Sequence, residues 1–193
     1  MNLIALLLTN IVTLTKYREI KQTETTSYSQ LVNRFYSYGI LLSYDSIHLV
    51  NEKVRNGTIT EEEVRVWLNE VVSDMRVAAE TASIAANHWN LTIGDKNKYD
   101  SVGEISRFYE SIQINLNDII KTEKDYTVWK QACIELEEIL EIIKNNTSEQ
   151  KLINADYKEI KIHWKELMEL VREKHSDSRL LKSYFLIHYS RDL

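Results

Sequence analysis

One stretch limits what this chain can fold into. Residues 60–89, TEEEVRVWLNEVVSDMRVAAETASIAANHW, place an apolar side chain at every third or fourth position without a break. Thr60 and Glu63 have the spacing of a capping box, in which the Thr hydroxyl accepts from the Glu backbone N–H and the Glu carboxylate accepts from the Thr N–H. Glu61, Glu62 and Glu63 also set negative charge against the positive end of the helix dipole. Val64, Trp67, Leu68, Val71, Met75, Ala78, Ala82, Ala85 and Trp89 then line up as one stripe. From Trp67 to Trp89 such a stripe is about 33 Å long at about 1.5 Å per residue, so it needs other helices of similar length to cover it. Its second half is small-residued, which lets a partner helix approach closely.

The rest of the chain can supply those partners. It has no proline and four glycines in 193 residues, which removes the usual turn-makers of loop-rich and all-β folds. The expected fold is therefore all-α, a bundle of about five long antiparallel helices with short N- and C-terminal flanking helices.

The chain divides at residue 21. Residues 1–15, MNLIALLLTNIVTLT, form an apolar segment followed by Lys16, Arg18 and Lys21, the reverse of a secretory signal. Fifteen residues of helix reach about 22 Å, short of the roughly 30 Å core of a bilayer. Thr9, Asn10, Thr13 and Lys16 gather on one side. A buried or partner-packed helix is the preferred reading, with a short membrane anchor or an interfacial helix as alternatives. Residues 22–27, QTETTS, read as a polar linker, so residues 1–21 are one unit and 22–193 the bundle domain.

A second helix is expected over 28–55, closed by Asn56-Gly57. Leu31, Phe35, Tyr38, Leu42 and Leu49 form one apolar face, and Val32, Tyr36 and Val50 another, so this helix should touch several neighbours or a second copy. Residues 91–100 read as a loop, and Ser101 with Glu104 as a second capping box. Ile105, Phe108, Tyr109, Ile112, Leu116 and Ile119 face inward on the next helix, and Trp129, Ala132, Cys133, Leu136, Leu140 and Ile143 on the one after, which exposes Glu137, Glu138 and Glu141. Thr147 with Gln150 restarts the chain into a helix ending near His175. Asp177 caps a final short helix.

Composition bounds the function. The net charge is −5, with the acidic excess in residues 60–141, so no basic surface for nucleic acid is expected. A single cysteine, Cys133, excludes an internal disulfide or a multi-cysteine zinc site. Asn56, Asn90, Asn145 and Asn146 head formal glycosylation triplets that coincide with turns.

Three groups carry candidate chemistry. Asp45 falls between Leu42 and Leu49 on the inward face, with His48 one turn on, and needs a partner because a buried charge is costly alone. It is either a ligand-recognising group or a structural hydrogen bond to His48 or a Tyr across the bundle. Glu159, His163 and Glu166 share one helical face, geometrically able to hold a metal, but no matching set stands on another helix, so a solvated edge is the preferred reading. Glu135 with Glu138, and Glu61 to Glu63, resemble acidic pairs of magnesium sites, yet a solvated face and capping account for them. No nucleophile, phosphate-binding loop or cofactor motif is present, and no cofactor or metal is expected.

The sequence therefore favours a non-catalytic helical-bundle protein–protein interaction module. It would meet a protein partner or a second copy through Tyr36, Tyr38 and Tyr44, with membrane contact through residues 1–15 if the first helix inserts. A cytoplasmic setting, up to the cytoplasmic face of a membrane, follows from the positive-inside rule. The alternatives are a small-molecule-sensing bundle with its site around Asp45 and His48, and a metal-dependent helical enzyme.

Overall fold

The computed structural model describes residues 3–93 and 103–189, with the side chains of residues 3–12, 25, 88–93, 157 and 189 left aside. Among the described residues every regular element is helical. The first three elements join end to end: α1 (Leu3–Arg34), a π-helical segment (Phe35–Leu41) and α2 (Leu42–Arg55). They are followed by α3 (Glu61–Ile93), α4 (Gly103–Thr122), α5 (Tyr126–Asn146), the short α6 (Glu149–Asn154), α7 (Tyr157–His175) and α8 (Lys182–Tyr189).

The α3 reading holds at its start and along its stripe. The Thr60 N–H donates to Glu63 Oε2 at 2.7 Å and the Glu63 N–H donates to Thr60 Oγ1 at 3.3 Å. The Thr60 N–H, then the Thr60 hydroxyl, which donates to Glu63 Oε2 at 2.9 Å, hold the Glu63 carboxyl below its ordinary pKa. Val64, Leu68, Val71, Met75, Ala78, Ala82 and Ala85 are all buried. α4 runs antiparallel against the alanine half, close enough for Ser106 Oγ to donate to the Ala79 carbonyl at 3.0 Å. The helix extends past residue 91, the expected start of a loop, to Ile93. Ser101, the expected cap of α4, lies outside the described residues.

α2 folds back on α3 through a Schellman turn. The Thr58 N–H reaches the Lys53 carbonyl, the Gly57 N–H reaches Val54, and Gly57 takes φ of +61°. α5 then packs antiparallel on the far side of α2, and α7 on α5. An aromatic cluster closes the other end of the core. Phe108 of α4 meets Tyr109, Trp164 of α7 and Tyr184 of α8 edge-on at 5.1, 5.4 and 5.7 Å between centroids. Trp164 Nε1 donates to the Tyr184 hydroxyl at 3.2 Å.

Several expectations are corrected. Residues 22–27 are not a linker: α1 runs straight through them, and the Thr23 and Thr26 hydroxyls bond back to the carbonyls of Glu19 and Gln22 at 2.9 Å. These threonines spend their hydroxyls on the helix rather than against it. The side chains of residues 13–24 are exposed, while those of residues 3–12, on which the reading of residues 1–15 as a buried or partner-packed helix rests, lie outside the described side chains. The helix over 28–55 contains a π-helical stretch, closed by the Leu42 N–H on the Ser37 carbonyl. Gly39 permits it locally, since a Cβ there would stand 2.7 Å from the Phe35 ring.

The segment after α5 restarts at Ser148, whose hydroxyl accepts from the Lys151 N–H; Thr147 is buried instead. It then breaks into two helices. Asp156 caps α7 in a capping box with Glu159, a stronger start signal than the Thr147–Gln150 spacing. Ser178, not Asp177, accepts from the Leu181 N–H before α8.

Candidate functional site

The α2–α5 seam gathers the densest set of polar side chains. Its centre is Glu137, on the α5 face beside Cys133 and Leu136, with only 9% of its side chain exposed. One turn spacing along α2 brings His48, Asn51 and Arg55 over it. His48 Nδ1 donates to Oε1 at 2.5 Å, while Asn51 Nδ2 at 2.8 Å and Arg55 Nη2 at 2.6 Å donate to Oε2. Asn51 Nδ2 also reaches the Cys133 carbonyl at 2.8 Å. The expectation that Glu137 is exposed is therefore wrong: three donors on one neighbouring helix satisfy the carboxylate and let it be buried.

The same seam corrects the placing of Asp45. Its side chain is 66% exposed and faces Lys144, at 3.8 Å. The inward face of α2 is Ser43, Ile47, Val50 and Asn51, one position round from the face marked by Leu42 and Leu49, which are 38% and 40% exposed. Small and polar residues occupy the core side here because α2 and the π segment pack closely on α3. Hydrophobicity alone therefore points to the neighbouring face.

His48 is half-exposed and stacks on Tyr44, with ring centroids 5.4 Å apart. Lys144 Nζ sits 3.6 Å from the Tyr44 ring centroid on α5's side. Partial burial, then the negative Glu141, Glu137 and Asp45, raise the Tyr44 hydroxyl's pKa. Cys133 is buried beneath this layer, and burial, helped by Glu137, pushes its thiol up to about 12. The expected inert reading of Cys133 fits that environment.

The three candidate tyrosines do not share one surface. Tyr44 belongs to the α5 seam, Tyr36 packs partly buried against the core, and Tyr38 lines a groove of about 240 Å³ with Leu31, Val77 and Ile84.

A second polar cluster joins α6 to α7. His163 is buried, not on a solvated edge. The Lys151 ammonium donates to its Nδ1 at 2.9 Å, so the ring proton is on Nε2, which donates to Thr147 Oγ1 at 3.2 Å. Burial, then the Lys151 charge, lowers the His163 pKa against an opposing pull from Glu166. Glu159 is taken up by the α7 cap, its carboxylate accepting from the Asp156 N–H at 2.7 Å. Glu159, His163 and Glu166 border an open groove of about 530 Å³ floored by Leu152 and Ile160. No group of three metal-ligating side chains converges among the described residues.

The third feature is the uncovered part of α1. Leu14, Tyr17 and Ile20 are 58%, 63% and 59% exposed, and further along α1 the Tyr28 hydroxyl donates to the Leu152 and Ala155 carbonyls. No helix among the described residues is long and apolar enough to cross a membrane. No family model, curated protein or solved structure matches this chain.

Proposed function

We propose that this chain is a non-catalytic protein–protein interaction module, a rigid helical body that holds out the first part of α1 as a docking arm. The observation that carries the reading is the arm itself. α1 continues through residues 13–24 with every side chain exposed, Leu14, Tyr17 and Ile20 among them, and isolated helices are marginal in water without a covering surface.

The two polar clusters support the same reading. Glu137 and His163 spend their polar atoms on bonds that hold α2 to α5 and α6 to α7, which suits structural roles. The arm's apolar first turns and the basic Lys16, Arg18 and Lys21 that follow also favour a second reading, a tether on the cytoplasmic face of a membrane. A buried thiol at Cys133 suits the reducing cytoplasm.

The test compares the full chain with one that starts at Gln22. The shortened chain should melt within a few degrees of the full one and lose its association with proteins and vesicles alike. A large fall in melting temperature would make the arm part of the core and end the docking reading.

A further inference from the structure

We infer that the groove between α6 and α7 binds a free amino acid with an aliphatic side chain, its carboxylate on Lys151, its ammonium on Glu166 and its tail over Leu152 and Ile160. This site is separate from the α1 arm and does not depend on it. Its volume of about 530 Å³ lies within the roughly 300–1,000 Å³ of small-molecule sites.

The cation is set in place from beneath. An ammonium carries three N–H donors and no acceptor. Lys151 gives one of them to His163 Nδ1 at 2.9 Å, and the buried His163 ring is held in turn by Thr147 Oγ1 at 3.2 Å. The ring thereby positions the charge at the groove wall and leaves two N–H groups for a ligand. Among the described residues neither Lys151 nor Glu166 makes an ion pair. Glu166 follows His163 by three residues on α7, so the two side chains are neighbours on one helix face. The ring registers that carboxylate, which pulls its pKa upward against burial and Lys151.

A fixed ammonium and a free carboxylate one helical turn apart match the two adjacent charges of a zwitterion. A plain carboxylate would meet Glu166, and a plain amine Lys151, as a like charge. The other carboxylate on the rim, Glu159, is occupied by the Asp156 N–H at 2.7 Å. The apolar lining is aliphatic: Leu152 and Ile160 form the floor, Ile162 stands 59% exposed at the side, and no Phe, Tyr or Trp lines the groove among the described residues.

Titrating the ¹⁵N-labelled full chain with L-leucine to about 20 mM, near the weak limit for a ligand of that size, tests this by NMR. Amides within residues 148–166 should shift and saturate. The analogues 4-methylpentanoate and 3-methylbutylamine keep the tail and lose one charge each, and should bind at least about ten-fold more weakly. Lys151→Met and Glu166→Gln should each weaken leucine binding by about ten-fold or more, with the melting temperature of the unliganded protein within a few degrees of the parent. Glu166→Gln breaks no bond within the chain, so it carries the test alone if Lys151→Met unfolds. No shift at about 20 mM leucine, shifts confined to other helices, either analogue binding as tightly as leucine, or unchanged binding in a folded variant would overturn the assignment.

Discussion

Two stretches of this chain carry the same sequence signal and meet opposite fates. The stripe of α3 is covered from Val64 to Ala85, whereas the apolar part of α1 passes through Leu14, Tyr17 and Ile20 without a described neighbour over those side chains. Apolarity at helical spacing says that a face wants covering. Which face is covered depends on reach. α3 has α2 on one half and α4 on the other, each returning antiparallel through a short connection or a close contact. α1 meets α3 and α6, yet Leu14, Tyr17 and Ile20 are left exposed.

The contrast can be broken or sharpened by substitution. Phe108→Ala empties the point where α4, α7 and α8 meet, and should cost about 3–5 kcal/mol in urea unfolding. A loss near that of an exposed site would show that the cluster is not well packed. Glu137→Ala removes the acceptor for His48, Asn51 and Arg55, and should cost about 1–3 kcal/mol, moderated because His48 and Arg55 can return to water. Adding His48→Ala in that background should then cost little more, and a full second loss would mean that His48 works elsewhere.

His163 supplies a pH dependence of smaller size. Its folded pKa lies below the ordinary 6.5, so as pH falls through that value the unfolded chain takes up the proton first. Stability should therefore fall below pH 6.5, and His163→Gln should flatten that part of the profile in thermal unfolding. An unchanged slope would assign the loss to other groups. The smallest effect belongs to the arm: Leu14→Ala should change the stability of dilute protein by under about 0.5 kcal/mol, and a core-sized loss would contradict its exposure.

Much of the fold was legible because helix stripes and caps are local. The stripes of α3, α4 and α5, the Thr60–Glu63 box and the Asn56-Gly57 turn all depend on residues within a few turns of one another. What was hidden depends on distant partners. Nothing in α5 alone marks Glu137 as buried, because its burial is licensed by donors on α2; the clue was that His48, Asn51 and Arg55 share a face at helical spacing. The inward face of α2 was obscured by Ser43, Gly39 and Asn51, whose smallness or polarity is what close packing needs. At residues 22–27 the threonines read as helix-breakers because their back-bonding to Glu19 and Gln22 is invisible to composition. His163 looked like an edge residue until Thr147 and Lys151 were placed against it by the break before α7.

Hydrogen exchange on the full chain, followed by mass spectrometry, sets the two stretches side by side. Backbone amides in peptides covering residues 13–24 should exchange quickly in dilute protein, while those of α3 and α4 stay protected. If the α1 peptides are protected to the level of α3, the arm is covered within the single chain and the contrast drawn here is wrong.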